Sequence, residues 1–307
     1  MKKVLVTGGL GFVGSNLVDK LVEQGHKVYV IDDLSSLSSS EKYENPKVHE
    51  YHYMDINDID DDYDALEFDV IFHLAAEARI QPSFDNPEHW FRTNAVGTMR
   101  MLEYARKNKC NSFVYATTSS KNHGSHLISP YTFSKVVGED AVRMYANLYN
   151  MNTAMATFYN VYGPREPREG EFATVTEKFL RQWQNGEKLT IVRDGQQSRD
   201  FTHVDDICNG LIRISEGNWK GHNFDLGRGK PIKIIDLALN IVDGDKDQIQ
   251  FVPLRKNEGL HTESEWKKTE ILLKWRAEKN IFEYIAQRQG FEVNNGFVVF
   301  HKSGRYR

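Results

Sequence analysis

The chain has 307 residues, which is enough for two packed domains or for one large α/β domain with a smaller companion. Its 39 basic and 43 acidic residues leave a net charge of −4, which argues against nucleic acid as a main ligand. Two cysteines can form neither a disulfide framework nor a cysteine-rich zinc site, and no apolar run reaches membrane-spanning length. We therefore expect a soluble, cytoplasmic protein with no metal site and no nucleic-acid or membrane partner.

The first half of the chain alternates short apolar runs with helical patterns. The runs KVLVTGG, KVYVIDD, VIFHLAA and SFVYATT are nearly continuous in apolar or β-branched residues, which is typical of buried parallel strands. Between these runs, amphipathic helices are predicted over residues 16–24, 94–107 and 130–150. This order indicates an α/β fold, with a Rossmann-like doubly wound parallel sheet and a smaller C-terminal α/β domain.

The first chemical signal is the segment TGGLGFVG, in which Gly8, Gly11 and Gly14 are spaced three apart between the first strand and the first helix. Glycine at these places lets the backbone turn tightly and approach a pyrophosphate, whose charge then lies at the helix N-terminus. Asp32 ends the next strand, where a carboxylate can accept both ribose hydroxyls and would repel a 2′-phosphate. The pattern predicts NAD rather than NADP, although a purely structural glycine turn is an alternative.

The segment SPYTFSK begins the third predicted helix. Ser129 is suited to cap that helix and Pro130 fits its first position, so the segment has a purely structural interpretation. An apolar row then continues the helical pattern, formed by Val137, Ala141, Met144 and Leu148.

The same segment also has a catalytic interpretation, because Tyr131 and Lys135 lie on one helix face. A free tyrosine has a pKa near 10, so a tyrosine base at pH 7 needs roughly three units of help, about 4 kcal/mol. The ammonium of Lys135 and the positive charge of an oxidised nicotinamide can supply it. The preceding strand ends in YATTSS, which offers a hydroxyl to complete a proton path.

An ordered series of motifs extends through nearly the whole chain and resembles one family. The motifs are TGGLGFVG, DDLSS, DIND, HLAAEARIQPS, NAVGT, SPYTFSK, YNVYGPR, DGQQSRDFTHVDD and FDLGRG. In this series the chain is similar to the extended short-chain dehydrogenase/reductases, in particular the NAD-dependent epimerase/dehydratase group that acts on nucleotide sugars.

The resemblance implies a set of site residues and a homodimer. Thr118, Tyr131 and Lys135 would be catalytic, and the last two would also contact NAD. The other cofactor-binding residues would be Gly8, Gly11, Phe12, Val13, Gly14, Asp32, Asp33, Asp55, Ile56, Leu74, Ala75, Ala76 and Asn94. The substrate, a nucleotide-diphosphate sugar, would be held by Thr118, Asn160, Arg199, Arg255 and Glu258. The helices over 94–107 and 130–150 would pair across the dimer interface.

The resemblance also implies a division into two domains. Residues 1–162, together with about 198–218, would form the NAD-binding domain. Residues 163–197 and 219–307 would form the substrate-binding domain. Near the end of the chain, Asn294, Asn295 and Gly296 lie between two apolar runs, which predicts a C-terminal hairpin.

The reaction type depends on the residues that follow Thr118. The dehydratases of the family have Asp and Glu there, whereas this chain has Ser119 and Ser120, whose hydroxyls cannot act as acid and base near neutral pH. The resemblance then favours epimerisation through a keto intermediate, at C4 of a UDP-hexose of the glucose, N-acetylglucosamine or glucuronate type. The alternatives are another nucleotide-sugar oxidoreductase, dehydratase or decarboxylase, or a non-catalytic NAD-binding protein.

The segment between the hydroxyl cluster and Tyr131 is much shorter than is usual in this family. It reads KNHGSHLISPY, so the loop that normally lies over the sugar is largely missing. His123 or His126 either replaces a lost sugar contact or is exposed to solvent, and the sequence leaves both alternatives open.

Overall fold

The computed structural model of the chain describes residues 1–36, 40–59, 67–254, 259–294 and 297–299. Its strands, in chain order, are β1 (Lys3–Thr7), β2 (Lys27–Asp32), β3 (Glu50–Tyr53), β4 (Val70–His73), β5 (Ser112–Thr118), β6 (Thr153–Phe158), β7 (Val161–Tyr162), β8 (Leu189–Val192), β9 (Ser198–Arg199), β10 (Thr202–His203), β11 (His222–Leu226), β12 (Ile232–Lys233), β13 (Ile249–Val252), β14 (Glu292–Asn294) and β15 (Phe297–Val299).

The α-helices lie mostly between these strands. They are α1 (Phe12–Glu23), α2 (Pro87–Phe91), α3 (Gly97–Lys107), α4 (Pro130–Tyr149), α5 (Val175–Gln184), α6 (Val204–Ser215), α7 (Ile234–Ile241), α8 (Trp266–Leu273) and α9 (Ile281–Arg288). Among the described residues, none of these helices is long and apolar enough to cross a membrane.

The main sheet has seven strands in the order β11-β6-β5-β4-β1-β2-β3, and every pair in it is parallel. The predicted doubly wound α/β fold is confirmed. One predicted boundary is wrong, because β11 is part of this sheet although residues 219–307 were expected to belong to the second domain. The strand returns to the sheet because its apolar residues Phe224 and Leu226 are fully buried against the first half of the chain.

Alternation along the strands separates two apolar layers on the two faces of the sheet. Val4 and Val6 face a layer covered by α1 and α6, whereas Leu5 between them faces a layer covered by α3 and α4. A third apolar cluster lies in the second half of the chain and includes Phe179, Leu237 and residues of β8. The NAD-binding and substrate-binding division proposed for the chain is consistent with these separate cores, apart from β11.

Local sequence explains where the helices of the first half begin. Helix α1 starts four residues before the predicted position 16, because its N-cap is already Gly11 of the glycine-rich turn. The predicted helix over 94–107 is α3 preceded by one π-helical turn at Arg92–Val96. Helix α4 begins as the sequence predicts: the Ser129 hydroxyl accepts a hydrogen bond from the Thr132 amide at 3.1 Å, and Pro130 is the first helical residue.

The apolar row of α4 is turned only partly toward the core. Ala141 is buried, but Met144 is 38% exposed and Leu148 is 69% exposed. The face of α4 that packs on the sheet instead carries Val142 and Tyr145. The helical spacing of the row therefore predicted the helix correctly. Met144 and Leu148, however, form an apolar strip on the surface.

The second half of the chain consists of small two-stranded units around α5, α7 and α9. Strands β8 and β13 pair in parallel, and β12 pairs antiparallel with β9. The predicted C-terminal hairpin is confirmed by the antiparallel pairing of β14 with β15, while its turn residues Asn295 and Gly296 lie outside the described part of the chain.

Candidate active site

A groove runs along the carboxyl edge of the seven-stranded sheet, and residues of the sequence motifs line it. All the predicted cofactor residues except Asn94 line it, namely Gly8, Gly11, Phe12, Val13, Gly14, Asp32, Asp33, Asp55, Ile56, Leu74, Ala75, Ala76, Tyr131 and Lys135. Parallel strands bring these residues together, since loops that are distant in sequence leave the sheet at one edge.

The glycine-rich turn needs its glycines for steric reasons. Gly8 has a φ of +69°, and a Cβ at this position would lie 2.7 Å from the Ala75 amide nitrogen. A Cβ at Gly14 would lie 1.9 Å from the Gly8 carbonyl oxygen. The turn therefore packs against both the β4 loop and the start of α1, and its backbone faces the groove where a pyrophosphate would lie.

The acidic residues of the groove are held by backbone amides. The carboxylate of Asp32 is buried and accepts hydrogen bonds from the amides of Leu10 and Leu34, both at 2.9 Å. Asp55 accepts from the Asn57 amide at 2.8 Å. These bonds fix both carboxylates at the β2 and β3 side of the groove, where the ribose of a dinucleotide is expected.

Asn94 is fully buried and contacts the protein instead of the groove. Its side chain accepts from the Glu77 amide, donates to the Glu77 carbonyl, and donates to the Ser134 hydroxyl at 3.0 Å. These three bonds join the loop after β4 to α4. The structure thus places Asn94 as a positioning residue, which holds the loop of Ala75 and Ala76 near Tyr131.

Tyr131 lies where the groove meets a second, larger cavity. It lines both, and Thr118 at the end of β5 lines the larger cavity with it. Burial raises the pKa of Tyr131, while the Thr118 side chain and the positive charge of Arg79 lower it in part. The predicted Tyr131 and Thr118 pair is therefore assembled, and Arg79 is a nearby cation that the sequence analysis did not predict.

Lys135 lies one turn further along α4 and is 3% exposed. Its ammonium is 4.2 Å from the centroid of the Tyr115 ring, a cation–π contact. Burial lowers the pKa of Lys135 to about 7, and the negative charge of Glu139 opposes this shift. Glu139, which is not part of the sequence motifs, thus helps to keep a charge on Lys135 from one turn further along α4.

Glu139 is itself held by a network of side chains beneath the site. It is 2% exposed, accepts from the Thr117 hydroxyl, and forms ion pairs with Lys121 and Arg143. The network ties β5 to α4, so the distance between Thr118 and the helix of Tyr131 and Lys135 is fixed within the protein.

The hydroxyls after Thr118 form a chain that leads away from the reacting groups. Thr118 Oγ1 donates to Ser120 Oγ at 3.0 Å, Ser120 Oγ lies 2.9 Å from Thr132 Oγ1, and Thr132 Oγ1 lies 2.9 Å from Ser129 Oγ. The Ser120 hydroxyl is therefore a hydrogen-bond partner for Thr118 at the end of β5 and for Thr132 at the start of α4. Ser119 also lines the larger cavity, but without the acidic group that water elimination requires.

The larger cavity has a volume of about 890 Å³ and lies between the two halves of the chain. Thr118, Asn160 and Arg199 line it, as the resemblance implies. Its lining also includes the basic side chains of Arg79, Lys178 and Arg181, and among the described residues that line it none is acidic. The cavity is suited to an anionic ligand. The other two predicted substrate residues, Arg255 and Glu258, lie outside the described residues.

The two histidines of the short loop have different environments. His126 is exposed and stacks on the Phe133 ring with centroids 6.3 Å apart. His123 lines the larger cavity, and both its ring nitrogens are buried. The alternative of exposure to solvent is therefore correct for His126, whereas it is wrong for the ring nitrogens of His123.

Comparisons with known proteins show the family of the chain. Residues 4–227 match the model of the NAD dependent epimerase/dehydratase family. A UDP-glucose 4-epimerase of Mycolicibacterium smegmatis is 31% identical, with 95% of this chain and 99% of that protein covered, and a putative UDP-glucose 4-epimerase of Methanocaldococcus jannaschii has the same identity and coverage. The crystal structure of UDP-glucose 4-epimerase from Thermotoga maritima with UDP-glucose is similar with a TM-score of 0.85 and 28% identity, covering 92% of this chain and 96% of that one.

Proposed function

The chain belongs to the NAD-dependent epimerase/dehydratase family, and on that basis we propose that it is a nucleotide-sugar epimerase acting at C4 of a UDP-hexose. One observation supports this proposal above the others. The groove built for a dinucleotide meets the larger cavity at Tyr131, and the described lining of that cavity is cationic and has no carboxylate. A hydroxyl carbon of a sugar in the cavity can therefore lie against both a base and a nicotinamide.

The residues of the groove fit NAD. The glycine-rich turn provides the close backbone approach for the pyrophosphate, and Asp32 and Asp55 offer carboxylate oxygens to the adenosine ribose. NAD supplies a hydride acceptor for oxidation of the sugar and the hydride donor for its reduction. The protein's part is to hold both ligands in place and to move one proton.

Proton movement is assigned to Tyr131 and its partners. The phenolate of Tyr131 takes the proton of the sugar hydroxyl as the carbon is oxidised, and the phenol returns it when the keto sugar is reduced on its other face. The Thr118 side chain and the charge of Arg79 favour phenolate, and the ammonium of Lys135, one turn along the same helix, would add to this effect. Arg199 and the other basic side chains of the cavity would hold the diphosphate.

The described lining, which has no carboxylate, favours epimerisation over dehydration. Elimination of water from the keto sugar needs an acid for the leaving hydroxyl and a base for the adjacent proton. The described lining offers neither near Thr118, since Ser120 is bonded within the hydroxyl chain. Return of hydride needs no further group, so it is the reaction that these residues support.

The proposal is tested by incubating the protein and NAD with UDP-glucose, UDP-galactose and their N-acetyl and uronic derivatives. Product identity is measured by NMR. A C4 epimer, formed without net change in NADH absorbance, supports the proposal. A 4-keto-6-deoxy sugar, a pentose or accumulated NADH would show a dehydratase, a decarboxylase or an oxidoreductase instead, and no conversion of any sugar would favour a binding protein.

Asp32 is expected to select NAD over NADP. Its buried carboxylate would repel a 2′-phosphate, so the wild type should bind NAD at least about tenfold more tightly, and Asp32→Asn should reduce that preference. Calorimetry with both cofactors measures the ratio, and Asp58→Asn, an exposed carboxylate outside the groove, is the control. Equal affinity of the wild type for the two cofactors would contradict the assignment.

We also propose a homodimer formed by the outer faces of α3 and α4. Large apolar side chains are exposed there, including Met99, Met144, Leu148 and Tyr149. Leu148→Glu should convert a dimer to a monomer at micromolar concentration, as measured by light scattering. Ile271→Glu, an equally exposed apolar site on α8, should leave the mass unchanged. A monomeric wild type would contradict this assembly.

A further inference from the structure

His123 is an unusual lining residue of the larger cavity, since its imidazole has no partner in a polar site. Both ring nitrogens are buried, and neither has a hydrogen-bond partner among the described residues. Such an arrangement costs free energy unless a ligand provides the missing bonds. The side chain is therefore a candidate ligand contact.

The ring is held between the catalytic end of the cavity and Arg199. The backbone of Gly259 packs directly on it, because a Cβ at Gly259 would lie 2.4 Å from His123 Nδ1. The Gly259 carbonyl accepts a hydrogen bond from Arg199 Nη2 at 2.7 Å, so Gly259 joins the imidazole to the guanidinium. On the other side, His123 follows the hydroxyl cluster closely in sequence, and its amide donates to the Ser120 carbonyl at 3.1 Å.

The chemical state of the ring indicates the kind of group that it can bind. Burial, helped by the charge of Arg199, lowers the pKa of His123 to about 4, so the imidazole is neutral at pH 7. A neutral imidazole donates one hydrogen bond and accepts one. A sugar hydroxyl can satisfy both requirements, whereas a phosphate oxygen only accepts and is better served by Arg199.

We propose that His123 binds a hydroxyl of the hexose ring, at the end of the sugar that lies toward the diphosphate. This inference rests on the proposed function, because it takes the cavity to be the nucleotide-sugar site. In this chain the shortened loop does not leave the sugar without contacts: it brings a histidine into the pocket. His123 then contributes to recognition of the sugar and takes no part in proton transfer at Tyr131.

The test compares binding of UDP-glucose with binding of UDP by calorimetry, in the presence of NAD. His123→Phe retains an aromatic ring but removes both nitrogens, and it should weaken UDP-glucose binding about tenfold while changing UDP binding less than about twofold. His123→Asn, which keeps a donor and an acceptor, should recover part of the loss. The exposed neighbour His126→Ala is the matched control and should bind both ligands normally.

A second readout does not depend on turnover. The imidazole nitrogen resonances of His123, assigned by comparing histidine-labelled wild type with His123→Phe, should shift on addition of UDP-glucose and much less on addition of UDP. Equal loss of UDP and UDP-glucose affinity in His123→Phe would show a diphosphate contact and overturn the inference, as would unchanged affinity for both. A wild type that binds neither ligand overturns the proposed function, and the inference with it.

Discussion

Tyr131→Phe is expected to lower turnover by about a hundredfold or more, with little change in fold or NAD binding. Tyr131 lies between the groove and the larger cavity, which Thr118 lines beside it. Loss of a positioned general base typically costs 10²–10⁴ in rate, roughly, and the ring that packs in the site remains. Turnover is measured on whichever UDP-hexose the wild type converts.

The control for this variant is Tyr149→Phe, which removes a half-exposed hydroxyl at the far end of the same helix. It should retain normal turnover. Near-normal turnover by Tyr131→Phe would show that SPYTFSK is only the start of a helix and that another group moves the proton.

Lys135→Met should impair both NAD binding and turnover. The ammonium is buried, lies over the Tyr115 ring and is supported by Glu139, so methionine removes a charge that is held at that point of the groove. Turnover should fall by at least about a hundredfold, because the phenolate of Tyr131 loses a favourable charge. NAD affinity should fall by a smaller factor, as expected for one lost ribose contact.

The same variant should not be less stable at neutral pH. Burial lowers the pKa of Lys135 to about 7 from the ordinary 10.5, so between these values the unfolded chain holds a proton that the folded chain releases. This group therefore makes the free energy of unfolding rise with pH across that window, and Lys135→Met should reduce the rise. Chemical denaturation at pH 7 and pH 10 measures it. Normal turnover, or unfolding of the variant at pH 7, would contradict the assigned role.

Features that depend on short-range pattern could be predicted from the sequence. The buried parallel strands, the glycine turn at Gly8 and the acidic end of β2 are all local, since strand burial and tight turns need particular residues in succession. Tyr131 and Lys135 share a helix face for the same reason. The family resemblance then added the residues of the groove, whose positions depend on the order of the strands.

Features that depend on packing between distant segments could not be predicted in this way. Arg79 acts on Tyr131 only because the loop after β4 folds over α4, and Glu139 is tied to β5 only because the fold brings Thr117 beside it. His123 is one of several loop histidines in the sequence, and only the approach of Gly259 distinguishes it. The sequence pattern shows which residues are apolar, but their burial depends on which distant segments of the chain pack against them.

The return of β11 to the main sheet limits how this protein can be divided. A fragment ending at residue 162 would leave β6 as an open edge, with unpaired backbone groups along a strand that is buried in the whole protein. It would also lack α6, which covers one apolar face of the sheet beside α1. A chimaera that exchanges the sugar-binding half must therefore keep α6 and β11 with the NAD-binding half, which requires more than one junction. A chimaera recombined at a single junction is expected to aggregate.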